Sequence, residues 1–319
     1  MKSLDRIIAT YNGERTDKIP VDAWWSKEIY EKIKSEKKES PIIHYKLDTR
    51  RIYIESQKLQ NNWKEFLKRE DPEILIYEFP FPEIEMAKTS IDELGIKINQ
   101  IKEQGYPAIG HIGSVCFEAL NNLLGMEEVF IALFDKYDII DEICEEITNI
   151  KLDMAMKFVE NGITIVHMGD DFGSQKGLLI SPDIWRRLFK PKIGRIVSSI
   201  KKYNKDCLVF FHSDGDISEI IDDFIEIGID FLNPIQPECM DIEMISKRYA
   251  GDITFWGGIG TQDTFYRDRD FIFETVKRTI EILGRRNKFV VSPTHMIQGD
   301  VPVENIDYFF EAVELYGIK

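Results

Sequence analysis

The 319-residue sequence predicts an α/β protein, a (β/α)8 TIM barrel in which eight parallel strands alternate with helices. From about residue 105 onward, short apolar runs alternate with longer amphipathic stretches, which is the pattern of successive β-α units. A barrel of roughly 250 residues is an ordinary single domain, and no low-complexity linker divides this chain. We therefore expect one domain over residues 1–319.

Seven of the eight strands can be placed, and one cannot. The seven are predicted at residues 20–25, 107–112, 163–168, 207–212, 229–235, 253–258 and 288–293. Residues 26–104 are rich in Lys, Glu and aromatic residues. For this region we expect extra N-terminal helices that decorate one mouth of the barrel.

Helices are predicted between these strands by apolar residues at three- and four-residue spacing. One such stripe consists of Ile140, Ile143, Ile147, Ile150, Met154 and Phe158. Ser181 followed by Pro182 is typical of an N-cap and first helical position. A doubly wound nucleotide-binding sheet is the competing architecture, but the run "GGIG" at 257–260 lacks the glycine spacing that such a fold requires.

Charge and composition exclude several classes of function. The net charge of −15 opposes binding to nucleic acid or to an anionic membrane surface, because both need clustered Lys and Arg. No apolar run approaches the roughly 20 residues of a membrane span. The four cysteines form no close-spaced metal pattern, which favours buried free thiols. We expect a cytoplasmic protein.

The strongest candidates for chemistry lie where strands end, since the C-terminal ends of barrel strands form the mouth that carries the active site. His212 and Asp214 are two residues apart just past a strand, so extended backbone would point both to one side. His295 follows the last predicted strand. Two imidazoles and a carboxylate suit zinc or another divalent transition metal. The alternative is that Asp214 caps the following helix and that no metal binds.

Other strand ends carry further polar groups. Asp170 and Asp171 are adjacent, and like charges raise the pKa of one partner, so one of them could act as a general acid or base. A solvated loop is the alternative. His111 and His167 lie inside apolar runs and are interpreted as core or near-core residues.

Aromatic and amide side chains are candidates for substrate contacts. An apolar wall for a ring-shaped substrate is one interpretation of the aromatic residues Trp24, Trp25, Tyr77, Phe79 and Phe81. Core packing is the default alternative. Amide groups that could bind a ligand are found at Gln236 and Gln262, near the glycines that follow Trp256.

Five segments of the sequence together resemble the uroporphyrinogen decarboxylase superfamily. They occur in the family's order at residues 6–25, 170–196, 212–241, 253–262 and 291–306 and span nearly the whole chain; examples are "DDFGSQKGLLISPDIWRRLF", "HSDGDISEIIDDF", "ITFWGGIGTQ" and "VSPTHMIQGD". The resemblance implies a (β/α)8 barrel with its site at the C-terminal mouth.

The superfamily contains decarboxylases and corrinoid-dependent methyltransferases, and the sequence resembles the second branch more closely. The porphyrin decarboxylases carry an arginine-rich segment after the first strand, whereas residues 22–30 read "DAWWSKEIY" and contain no arginine. The thiol-activating methyltransferases hold zinc with His-x-Cys and a later Cys. At the matching positions this chain has His212, Asp214 and His295, so the ligand positions remain while two ligand types change.

The resemblance therefore implies a methyltransferase with zinc at His212, Asp214 and His295. It would move a methyl group from a methyl ether or a methoxylated aromatic to the cobalamin cobalt of a separate corrinoid protein, and the chain would be a monomer or a homodimer. The catalytic residue would be Asp170 or Asp171. The substrate contacts would be Gln175, Gln236, Trp24, Trp25 and Trp256. A decarboxylase without metal and a non-catalytic binding barrel are the two alternatives.

Overall fold

Eight strands form one curved sheet, and residues 20–25 close it into a barrel. The computed structural model describes residues 1–56, 74–79 and 91–318, with side chains at 1–54 and 92–318. The sheet strands are β1 (Arg50–Ser56), β2 (Ile74–Phe79), β3 (Ala108–Ser114), β4 (Ile165–Gly169), β7 (Leu208–His212), β8 (Phe231–Asn233), β9 (Thr254–Ile259) and β10 (Phe289–Pro293). A small ribbon is formed by β5 (Gly173–Ser174) and β6 (Gly177–Leu178).

The order of the sheet is β10-β9-β8-β7-β4-β3-β1-β2, and all pairs are parallel except β1 with β2. The barrel closes because Val21 pairs in parallel with Val291 and its carbonyl accepts a hydrogen bond from Asp48 N–H at 2.9 Å. Residues 20–25 therefore lie between β10 and the start of β1. The seven parallel strands of the sheet and residues 20–25 together make eight parallel strands, so the predicted barrel is confirmed.

Strand β1 is the strand that sequence analysis did not place, and it lies inside the region predicted as helical decoration. Residues 26–104 do contain helices, but the prediction of helices for this region was incomplete, because β1 pairs with β3 in the wall of the barrel. Its second residue, Arg51, is buried in the barrel with Asp22 as its partner. The buried ion pair explains why a charged sequence forms a central strand.

Helices cover the outside of the strands. The longer ones are α1 (Ser3–Tyr11), α2 (Lys27–Lys37), α4 (Ile91–Glu103), α5 (Phe117–Leu124), α6 (Met126–Asp135), α7 (Tyr137–Glu160), α9 (Lys190–Tyr203), α11 (Ile242–Tyr249), α12 (Arg269–Leu283) and α13 (Val303–Tyr316). Shorter ones are α3 (Pro41–His44), α8 (Pro182–Ile184) and α10 (Ile221–Glu226). The predicted apolar stripe of α7 faces the strands, and Ser181 caps α8 by accepting a hydrogen bond from Ile184 N–H at 3.3 Å.

The core has two parts. The larger part packs helices against the outside of the sheet, and the smaller part fills the barrel interior with Ile109, Ile165, Leu208, Phe210, Phe231, Trp256 and Val290. Ile7 of α1 joins this interior cluster. This apolar cluster fills one end of the barrel interior, and polar groups occupy the mouth at the opposite end. All four cysteines are free, as predicted. Among the described helices, none has the length and apolar character needed to cross a membrane.

Candidate metal centre and adjoining cavities

His212 and Asp214 meet at the C-terminal mouth of the barrel, together with Asp171. His212 ends β7, and its Nε2 lies 3.7 Å from Asp214 Oδ2 and 3.7 Å from Asp171 Oδ1. Ligand atoms from all three residues lie within 4.8 Å of one another. The expectation that β7 would direct His212 and Asp214 to one side is met. Asp171 enters from the end of the neighbouring strand β4.

His295 approaches the same cluster from the loop after β10. Its Nε2 lies 3.8 Å from Asp214 Oδ2, and its ring centroid is 6.3 Å from that of His212. The structure therefore brings together the three residues predicted as metal ligands. We call His212, Asp214, His295 and Asp171 the acidic-imidazole cluster.

The donor chemistry of the acidic-imidazole cluster fits a divalent metal. Two ligands bound to a tetrahedral zinc at about 2.0–2.1 Å lie about 3.3–3.4 Å apart, and the separations of 3.7 and 3.8 Å around Asp214 are close to that value. Burial disfavours the charged form of His212, but the hydrogen bond and charge of Asp214, with the charge of Asp171, raise the pKa of His212 to about 9. The two carboxylates therefore attract positive charge to this imidazole, and a metal ion bound at Nε2 would have to displace the proton there.

Asn233 orients the imidazole of His212, and the sequence analysis did not identify it as a site residue. Asn233 is fully buried at the end of β8, and its Oδ1 lies 2.5 Å from His212 Nδ1. The Asn233 amide in turn donates from Nδ2 to the carbonyl of Trp256 at 3.0 Å, which fixes its orientation. Nδ1–H is therefore the donor, and Nε2 is directed at the acidic-imidazole cluster.

Close backbone packing holds the loop that carries Asp214. A Cβ on Gly173 would lie 2.5 Å from the carbonyl oxygen of Asp214, and Gly215 has a φ of +84°. Asp171 Oδ1 accepts a hydrogen bond from Asp214 N–H at 2.9 Å, and Gln236 Oε1 accepts one from Gly215 N–H at 3.0 Å. Glycine is required at both positions because a side chain would displace the loop.

Asp170 and Asp171 diverge although they are adjacent. Asp170 is fully buried, and its carboxylate accepts hydrogen bonds from Cys116 N–H, Phe117 N–H and Glu118 N–H at the start of α5, at 2.7, 3.0 and 2.9 Å. Burial and the charge of Glu118 raise the pKa of Asp170 to about 8 despite these bonds. The structure therefore directs Asp171, but not Asp170, into the acidic-imidazole cluster.

Two cavities adjoin the acidic-imidazole cluster. The outer cavity has a volume of about 710 Å³ and is lined by Asp214, Gln175, Gln236, Gln262 and Tyr266 among others. The inner cavity has a volume of about 330 Å³ and is lined by Trp24, Tyr53, His111, Glu118, His167 and His212 among others. His295 and Met296 border both cavities. The cluster thus lies at the boundary between an amide-rich space and an aromatic one.

The aromatic residues predicted to contact the substrate lie in different parts of the structure. Trp24 is half-buried and lines the inner cavity, whereas Trp25, which also borders it, is almost fully buried and stacks on Tyr45. Trp256 lies in the barrel interior, with its Nε1–H donated to Asp22 at 3.1 Å, and borders neither cavity. The side chains of Tyr77 and Phe79, and the whole of Phe81, lie outside the described residues.

The amides predicted as substrate contacts lie at the outer cavity. Gln175 Nε2 approaches Gln262 Oε1 at 3.4 Å, and both side chains are exposed. Gln236 is buried and is engaged by the Asp214 loop, as described above. Gln175 and Gln262 are therefore the amides that remain available to a ligand.

Three residues of the inner cavity were missed or interpreted differently from the sequence. His111 and His167, interpreted as core residues, form part of the cavity wall. Burial lowers the pKa of His111 to about 3 and that of His167 well below its ordinary value, so both rings are neutral. Glu118 follows the N-terminus of α5, and burial with the charge of Asp171 raises its pKa. No pattern around residue 118 could have indicated its position.

Comparisons with known proteins identify relatives of this chain. The family model described as uroporphyrinogen decarboxylase (URO-D) matches residues 85–316. A methyltransferase from Methanosarcina mazei is similar in structure, with a TM-score of 0.70, 17% sequence identity and 99% of each chain covered. A B12-independent methionine synthase from Shewanella sp. W3-18-1 has a TM-score of 0.48 and 10% identity, covering 77% of this chain and 70% of its own. None of the curated proteins matches the sequence.

Proposed function

The chain belongs to the uroporphyrinogen decarboxylase family, and within that family we propose that it is a metal-dependent methyltransferase. In this proposal a methyl group moves from a small methylated substrate, of the methyl ether or methoxylated aromatic type, to the cobalt of a separate corrinoid protein. The observation that carries the proposal is the acidic-imidazole cluster at the boundary between the two cavities.

His212, Asp214 and His295 are the residues that would hold a zinc ion, with Asp171 adjacent as a further carboxylate. A zinc ion held by them would act as a Lewis acid that draws electron density from an ether oxygen. Two imidazoles and one carboxylate leave more positive charge on a metal than thiolate ligands do. This ligand set favours the departure of an oxygen leaving group over the activation of a thiol.

The protein's own residues would position the reactants. Trp24 offers an aromatic surface in the inner cavity beside His212, with ring centroids 5.4 Å apart. A ring held against Trp24 would present its ether oxygen to the cluster and its methyl group toward the outer cavity. The bond between the methyl carbon and the oxygen would break with the oxygen keeping its electron pair, and cobalt(I) of the corrinoid would supply the electron pair of the new bond to the methyl carbon. Positioning of this kind contributes a large part of catalysis in two-substrate reactions.

The lining of the cavities argues against a porphyrin decarboxylase. Of the described residues that line the two cavities, none is an arginine or a lysine. A tetrapyrrole with many carboxylates would need such cations, because carboxylates are recognised by charge-assisted hydrogen bonds. The net charge of −15 adds repulsion.

Metal analysis is the first test of the proposal. Protein purified without chelator or affinity metal should contain about one zinc per chain, and Asp214→Ala and His295→Ala should each lose it. Asp263→Ala is a matched control, because Asp263 is an exposed carboxylate paired with Arg267 outside the acidic-imidazole cluster. Wild-type protein that takes up no zinc when zinc is offered would contradict the mechanism.

Methyl transfer is the second test. Zinc-loaded protein should transfer methyl groups from at least one methoxylated aromatic in a panel to reduced cobalamin, which is followed by the change in the corrinoid absorption spectrum. Release of carbon dioxide from uroporphyrinogen III would instead support the decarboxylase. Zinc and ligand binding without turnover for any donor would favour a non-catalytic barrel.

A further inference from the structure

We propose that the inner cavity selects an uncharged aromatic ring carrying a second oxygen substituent, which accepts hydrogen bonds from His111 and His167. The inference deepens the proposed function, and it rests on that function only for the methyl group of the substrate. The hydrogen bonds to the second oxygen are inferred from the part of the cavity wall that carries His111 and His167.

The two histidines lie side by side on neighbouring strands. His111 of β3 is in register with His167 of β4, and their ring centroids are 4.2 Å apart with an interplanar angle of 88°. Both residues line the inner cavity. A single substituent on a bound ring could therefore meet both imidazoles.

The hydrogen bonds around His111 leave a donor available to a ligand. Gly113 N–H donates to His111 Nδ1 at 3.3 Å, so the neutral ring carries its proton on Nε2. The Nε2–H is thus the hydrogen-bond donor of a ring that lines the inner cavity. A ligand oxygen in the cavity would accept a hydrogen bond from this donor.

His167 is a second polar group without a protein partner. Its side chain is 3% exposed, and its Nδ1 has no hydrogen-bond partner among the described residues. Because burial keeps both rings neutral, the wall offers N–H groups without formal charge. Such a wall matches a hydroxyl, methoxy or carbonyl oxygen better than a charged group.

Trp24 connects this wall with the acidic-imidazole cluster. Its ring centroid is 5.5 Å from that of His167, with an interplanar angle of 23°, and 5.4 Å from that of His212. An aromatic ring lying near Trp24 would have one edge near His167 and another near His212. The oxygen that carries the methyl group would face His212, and the second oxygen would face the two histidines.

The volume of the inner cavity fits one such ring. At about 30 Å³ per heavy atom, the density of liquid water, the cavity of about 330 Å³ holds about eleven heavy atoms. A benzene ring with two oxygen substituents and a methyl group has nine. A second fused ring would fill or exceed the space.

Calorimetric binding of three probes at pH 7 tests the inference: 2-methoxyphenol, anisole and trimethylammonium. The wild-type protein should bind 2-methoxyphenol about tenfold more tightly than anisole, which lacks the second oxygen, because one net hydrogen bond contributes roughly this factor. Trimethylammonium should bind more weakly than 2-methoxyphenol. Equal affinity for the two aromatic probes, no binding of either, or tighter binding of the cation would overturn the inference.

Variants assign the preference to the histidines. His111→Phe should reduce the preference for 2-methoxyphenol to about twofold or less while anisole affinity stays within about twofold, and His111→Gln, which keeps an N–H donor, should restore part of it. His44→Phe, at a half-buried histidine that does not line the inner cavity, should change neither affinity. A preference that persists in both His111→Phe and His167→Phe would contradict the proposal. If these variants do not fold, the wild-type comparison alone decides.

The binding measurement separates this inference from the proposed function. It needs neither corrinoid protein nor turnover, and it is made with zinc present and again with chelator. A tenfold preference without any methyl transfer would support the cavity assignment and remove the methyltransferase. Methyl transfer from anisole and 2-methoxyphenol with equal binding would keep the methyltransferase and overturn the assignment.

Discussion

Replacing Asn233 by alanine tests whether the orientation of His212 controls metal binding. Asn233 is not one of the proposed metal ligands, and it would affect metal binding through His212, from whose Nδ1–H it accepts a hydrogen bond. Without this acceptor the imidazole can rotate or change tautomer, and Nε2 is no longer held toward Asp214. The variant should therefore bind zinc more weakly although none of the proposed ligands has been replaced.

The expected loss can be worked from two contacts. Outer hydrogen-bond partners of metal-bound histidines are typically worth about 10–100-fold in metal affinity, or about 1.4–2.8 kcal/mol. Asn233 also donates to the Trp256 carbonyl, so the variant loses two hydrogen bonds, one buried and one partly buried. At about 1 kcal/mol each, they predict a loss of about 2 kcal/mol in the free energy of unfolding.

Competition against a chromophoric zinc chelator measures the affinity, and urea unfolding of the metal-free protein measures the stability. Asn305→Ala is the matched control, because Asn305 Nδ2 donates to two backbone carbonyls, those of Phe265 and Arg267, away from the cluster. It should lose stability without losing zinc affinity. Zinc affinity of Asn233→Ala within threefold of wild type, in a folded protein, would refute the reasoning.

Three further predictions concern Asp170 and Gly173 near the site and Asp223 on α10. Asp170→Ala should lower the free energy of unfolding by about 2–3 kcal/mol in urea titrations, because three backbone N–H groups lose their acceptor; a change below about 0.5 kcal/mol would contradict this role. Gly173→Ala should weaken zinc binding at least about tenfold by pushing the backbone at Asp214, measured with the same chelator. Burial alone would raise the pKa of Asp223, but hydrogen bonds from Arg186 and a neighbouring lysine hold it below its ordinary value. Asp223→Asn should therefore cost about 1–2 kcal/mol at pH 7. The difference from wild type should begin to shrink below about pH 4, where the carboxylate of the unfolded chain is protonated, and should disappear at the lower pH where the folded protein is also protonated; thermal unfolding across that range checks it.

The barrel could be predicted largely from the sequence because its strands are apolar runs at regular intervals. β1 is the exception, since its arginines hide the pattern that a buried strand normally shows. Arg51 is acceptable inside the barrel only because Asp22, a residue on another strand, neutralises it. Such a pairing depends on the closed tertiary structure, and no local pattern in the sequence reports it.

The convergence of the acidic-imidazole cluster could be predicted in part for a related reason. His212, Asp214 and His295 end strands, and the ends of parallel barrel strands must converge. The roles of Trp24 and Trp256 could not be distinguished, because strands buried on both faces show no alternation that says which side chains point into the barrel. In the structure, Trp24 borders the inner cavity while Trp256 lies among interior side chains.

The seam that closes the barrel, where residues 20–25 pair with β10 and the loop after it, also affects the order in which the chain folds. Val21 pairs with Val291, and Trp25 pairs with Ile297, so the seam joins residues separated by nearly the whole sequence. Contacts of this kind are slow to form and come late when a chain is made from its N-terminus. Trp24 lies on one side of the seam and His295 on the other, so a growing chain would carry His212 and Asp214 long before it could hold a metal between them. In the proposed zinc protein, metal binding that uses His295 would thus come at the last stage of folding, after the barrel has closed.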